Sequence, residues 1–124
     1  MDESLQRYNL ALGKGRELNA GERSSAAGER RRAALDLKAN VAVRSDFDAA
    51  AAVMTRADTA FKAGRFDEAA DLYGDAESQF AAVRDVAAEK RRIAEEAMER
   101  ARRRIAETEQ AAKEADSILQ GGTR

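Results

Sequence analysis

Gly64-Arg65-Phe66-Asp67-Glu68-Ala69-Ala70-Asp71-Leu72-Tyr73 is a glycine turn opening onto an amphipathic helix, and a near copy precedes it at Arg44-Ser45-Asp46-Phe47-Asp48-Ala49-Ala50-Ala51-Ala52-Val53-Met54. Superposing Phe47 on Phe66 matches Asp48 with Asp67, Ala50 with Ala69, Ala51 with Ala70, Val53 with Leu72, Met54 with Tyr73 and Ala57 with Ala76, at an offset of 19 residues. Ser45 with Asp48 three residues later has the form of a capping box, and Gly64 suits the left-handed end of a helix. Each copy then carries an apolar stripe at three-four spacing: Phe47, Ala50, Met54, Ala57 and Phe61 in one, Phe66, Ala69, Tyr73, Ala76, Phe80 and Val83 in the other. That spacing places each set on one helix face, so the centre reads as a helical hairpin.

Outward from this hairpin the helical signal is long and thinly hydrophobic. From Phe66 to Leu119 there is no proline and only Gly74 as a weak point, while Gly121-Gly122 reads as a stop. Val83, Val86, Ile93, Ala97, Ala101, Ile105, Thr108, Ala112, Ala115 and Leu119 trace a drifting stripe along a helix on the order of 80 Å long. A bend near Arg84-Asp85 is left open. Towards the N-terminus, Leu5, Tyr8, Leu12, Leu35, Ala39 and Ala42 have helical spacing, but Gly13, Gly15, Gly21 and Gly28 weaken the arm over 1–28. The fold expected is all-α and elongated: one module over 1–124, with three helices at about 3–44, 46–62 and 66–119. A middle helix of about 25 Å covers only parts of its neighbours. The expected shape is a Z, with the long helices projecting as arms, the C-terminal one over 84–119.

Composition narrows the function. Lysine and arginine total 22 against 23 acidic residues, so the chain has no overall bias towards nucleic acid or anionic lipid. Cysteine and histidine are both absent. That excludes disulfides, thiolate chemistry and the commonest metal ligands, and no cofactor or metal is expected. The acidic ridge Asp67-Glu68-Asp71-Asp75 lacks the loop that hard cations need for multidentate coordination. No apolar run is long enough to span a bilayer and no apolar export-signal core is present, so no direct membrane insertion is expected. The triplets Arg30-Arg31-Arg32, Lys90-Arg91-Arg92 and Arg102-Arg103-Arg104 have the charge to meet phosphates, but their members point in different directions around a helix and acidic neighbours interrupt them. With carboxylates at the regular spacing of solvated helix faces, no catalytic residue is assigned and no enzyme is expected.

The run Ala57-Asp58-Thr59-Ala60-Phe61-Lys62-Ala63-Gly64-Arg65-Phe66-Asp67-Glu68-Ala69-Ala70-Asp71-Leu72-Tyr73-Gly74-Asp75-Ala76 resembles the central part of a tetratricopeptide repeat, covering about one unit over residues 50–83. It departs from that pattern at Arg56, where a leucine is usual, and at Ala81, where a proline is common. More broadly, Leu37-Lys38-Ala39-Asn40-Val41-Ala42-Val43, the two turns, Glu89-Lys90-Arg91-Arg92 and Ala115-Asp116-Ser117-Ile118-Leu119-Gln120-Gly121-Gly122 resemble the repeat region of tetratricopeptide-like lipoproteins from spirochaetes, without their lipid-bearing cysteine. The resemblance implies an α-solenoid type of scaffold for protein contact in a bacterial periplasm or cell envelope. It also implies a groove in which Ala51, Met54, Asp58 and Phe61 bind a partner, but for Met54 and Phe61 an ordinary place in the hairpin core is the favoured reading.

For the long arm, Ile93, Ala97, Ala101, Ile105, Ala112 and Leu119 are the expected self-association residues, because an exposed helix with an apolar stripe owes little stability to propensity alone. The leading expectation is a non-catalytic protein–protein interaction module, as a homo-oligomer or with a protein partner. A structural spacer or self-associating coiled coil without a discrete ligand is the second reading, and a nucleic-acid-associated helical protein the third.

Overall fold

The computed structural model describes residues 3–122, and every regular element among them is helical. α1 spans Glu3–Asp36, α2 is the four-residue turn of helix Ala39–Ala42, α3 spans Arg44–Lys62 and α4 spans Phe66–Gly122. The chain divides into two units, Met1–Ala88 and Glu89–Arg124. All core residues, from Ala20 to Ala87, lie in the first.

The expected first helix over 3–44 is broken. Lys38 adopts a left-handed conformation, φ 56° and ψ 36°, which ends α1. The freed carbonyls of Ala34 and Leu35 accept hydrogen bonds from the Leu37 and Lys38 N–H groups at 3.2 and 2.8 Å. After α2, the chain turns at Val43, φ −131° and ψ 51°, and enters α3 with no side-chain cap. The capping box expected at Ser45 and Asp48 therefore does not form. Both residues already lie inside α3, and Asp48 instead faces Arg44 at 3.8 Å. Because a lysine in the left-handed region carries a steric cost that glycine escapes, Lys38→Gly is expected to raise stability by about 1 kcal/mol, seen as a higher urea midpoint at unchanged slope.

The second turn forms as its sequence suggests. Gly64 has φ 78°. Its N–H donates to the Phe61 carbonyl at 3.0 Å and the Arg65 N–H donates to the Ala60 carbonyl at 2.9 Å. These two bonds are the Schellman closure of α3. α4 then runs without interruption through Arg84-Asp85, between buried Val83 and Ala87.

Within the first unit three helices share one core. α3 and α4 are antiparallel: Phe47 meets Phe80 edge-on at 5.3 Å, and Phe61 meets Phe66 at 5.2 Å. Such pairs contribute about 0.5–1.5 kcal/mol each beyond their buried area. The α4 seam repeats every 3.5 residues through Phe66, Ala69, Tyr73, Ala76, Phe80, Val83 and Ala87, which is coiled-coil geometry. α1 lies against this pair through Ala20, Ala27 and Ala34, all at 0 % exposure and seven residues apart. Having only methyl groups there, α1 approaches closely. Arg16 reaches Asp67 at 3.6 Å and Arg30 reaches Glu77 at 3.8 Å. A Cβ on Gly74 would stand 3.0 Å from the Arg23 guanidinium. These contacts ascend together along α1 and α4, so the two helices are parallel. From Ala20 onward α1 is thus a third wall of the core and not the unpaired arm of the expected Z, while Leu5, Tyr8, Leu10 and Leu18 before it stay more than half exposed.

Candidate interaction surfaces

The four residues expected to bind a partner lie on α3. Ala51, Met54 and Phe61 are partly buried and pack against the core, and Phe61 also closes on Phe66. Asp58 is exposed, and its Oδ1 accepts a hydrogen bond of 2.5 Å from the Tyr73 hydroxyl. The structure thus gives all four an intramolecular task. Tyr73 is 2 % exposed, and burial first, then Asp58, pushes its ionisation above the usual tyrosine value, against an opposing hydrogen bond from Ser24 on α1. Through Asp58 this phenol joins α4 to α3.

The sign of the pH dependence follows from that direction. A tyrosine whose folded pKa is raised holds its proton longer in the folded state. Its contribution is complete below the unfolded value near 10 and is lost as pH rises through the folded one. With two tyrosines and no tryptophan in the chain, a Tyr8→Phe variant isolates Tyr73 in an absorbance titration. The phenolate band is expected to appear later than in the urea-unfolded chain, and Asp58→Ala is expected to bring it part of the way back.

A shallow apolar groove of about 200 Å³ opens between α3 and α4, lined by Asp46, Ala49, Gln79, Ala82, Val83 and Val86. The acidic ridge is partly neutralised by neighbours: Asp67 faces Arg16, and Glu68 accepts a 2.7 Å hydrogen bond from Arg65. Among the described residues no cluster of carboxylates is arranged to hold a metal ion, and no helix is long and apolar enough to cross a membrane.

The second unit is, over its described residues, the continuation of α4. Every described side chain from Glu89 to Gly121 is exposed. The six residues expected to self-associate, Ile93, Ala97, Ala101, Ile105, Ala112 and Leu119, fall along one drifting stripe; Ile93 is 52 % exposed, Ile105 59 % and Leu119 69 %. Two apolar residues outside the expected set, Met98 and Ile118, extend the apolar surface sideways and are as open. Ala97, Thr108 and Leu119 recur every eleven residues. The stripe therefore advances at about 3.67 residues per turn, unlike the 3.5 of the α4 core seam, which is why it drifts on a heptad template.

Arginine–glutamate pairs support the polar side of this helix. Arg92 donates to Glu89 at 2.5 Å and to Glu96 at 2.6 Å, Arg91 to Glu95 at 3.1 Å, and Arg103 to Glu99 at 3.3 Å. Arg92 holds the Glu89 carboxyl below its ordinary value. In water each such pair adds only about 0.2–0.5 kcal/mol of helix stability. Comparison with known proteins returns no matching family model, no curated relative and no similar solved structure.

Proposed function

We propose that this chain is a non-catalytic protein–protein interaction module that keeps its fold with the three-helix unit and offers the helix over 89–122 to a protein partner. The observation that carries the reading is the full exposure of a helical apolar stripe along residues 89–121. A helix of this kind is marginal alone and gains most of its stability from burying such a face. The tetratricopeptide resemblance of residues 57–76 points the same way, since that family serves protein contact. The balanced total charge favours a protein partner over nucleic acid.

The test is site-specific photo-cross-linking of the full chain in its native cells. A photoreactive residue at position 93 or 105, on the stripe, is expected to give an adduct of defined mass; one at 99 or 110, on the opposite side, is expected to give none. Equal labelling from both sides, or no adduct from either, would overturn the reading. The folded unit supplies an independent check. Ile93→Asp with Ile105→Asp is expected to change the unfolding free energy of the dilute monomer by less than about 0.5 kcal/mol, as for surface positions without intrachain contacts.

A further inference from the structure

Resting on that module reading, we propose that the partner of the stripe is a second copy of this chain, with the two helices over residues 89–119 laid antiparallel and centred near Ile105. The stripe alone does not choose an occupant; its charge does. Residues 89–104 carry seven basic and four acidic side chains, and residues 105–122 carry one basic and four acidic. The helix is therefore positive in its first half and negative in its second. Antiparallel pairing sets each positive half against the other copy's negative half, while a parallel pair stacks like against like.

Local charges agree with that choice. Among the described residues Arg100 and Arg104 on one side of the centre, and Glu107, Glu109 and Asp116 on the other, form no ion pair within the chain. On a helical projection at the period of this stripe, Arg100 and Glu107 border the same edge. In the antiparallel register they therefore approach each other across the seam in both directions. Centring at Ile105 seats Ile93 of one copy between Ala115 and Leu119 of the other, Ala97 between Ala112 and Ala115, and Ala101 between Thr108 and Ala112. Ile93 thus meets a gap beside the small Ala115, and Ile105 meets its own counterpart at the centre of the pair. The alanines allow the helix axes to approach at the short end of the usual 8–10 Å range.

The chain has no cysteine, so single cysteines report the geometry directly on the purified chain. Ile105→Cys is expected to form a disulfide-linked dimer alone. Ala97→Cys is expected not to, but to cross-link when mixed with the Ala112→Cys protein. Efficient self-cross-linking of Ala97→Cys would overturn the proposal in favour of a parallel pair. A monomeric mass at every concentration, with no cross-link from any variant, would overturn self-pairing while leaving the module reading intact, provided that cells yield a stripe adduct with a different protein. A charge swap adds a second readout. Arg100→Glu with Arg104→Glu is expected to raise the dimer dissociation constant at least about tenfold, and further addition of Glu107→Arg and Glu109→Arg is expected to restore it; failure to restore would contradict the assigned register.

Discussion

Replacing Phe80 with alanine is expected to lower the unfolding free energy by about 3–5 kcal/mol, the range for truncating a buried aromatic. Phe80 is the largest side chain that is fully buried, at 0 % exposure, and it meets Phe47 edge-on across the α3–α4 interface. Alanine there forfeits the ring contact and leaves a cavity. The residues around it, Ala50, Ala76 and Val83 on the same seams, are too small to fill the space by rotamer changes. In a unit of this size such a loss is a large part of the total stability. Urea denaturation followed by circular dichroism measures it. A loss below about 1 kcal/mol would mean that the Phe47–Phe80 layer is not the centre of the core.

Ala27→Leu tests the opposite failure. Ala27 is sealed on α1, with Ala20 and Ala34 one heptad away on either side. With only methyl groups at these three positions α1 stands close to α4, near enough for Arg16 to reach Asp67 and Arg30 to reach Glu77. A leucine has no space at that separation, and overpacking of this kind costs about 1–3 kcal/mol. The added side chain is apolar and a good helix former, so a measured loss reports helix separation and not helix propensity. Thermal unfolding is expected to show a lowered midpoint, with faster amide exchange along α1. An unchanged midpoint would indicate that α1 is not held against the hairpin.

The hairpin was legible because its markers are unambiguous. Gly64 sits where a left-handed turn is required, and the phenylalanines punctuate alanine-rich stripes at helical spacing. The role of α1 was hidden because its inward face is made of Ala20, Ala27 and Ala34, among glycines and serines that read as helix-weakening and carry almost no hydrophobic signal. Their meaning is steric: they are small because another helix is close. Lys38 was illegible for a different reason, since nothing in a lysine announces a left-handed backbone. Ser45 looked like a cap, but α3 starts before it, at Arg44. On the long helix Ile93, Ile105 and Leu119 are readable as a stripe, whereas Met54 and Phe61 have two readings from sequence, and in the fold both pack against the core while Asp58 stays exposed and accepts from Tyr73.

Amide hydrogen exchange across a series of protein concentrations tests the central claim most directly, because it reads the core and the exposed helix in one sample. The account predicts that residues 20–87 are protected to the same degree at every concentration. Residues 93–119 are predicted to exchange rapidly when dilute, as a helix without a partner does, and to gain protection as concentration rises. Protection of 93–119 that is high and independent of concentration would contradict it, since that helix would then be held by its own chain.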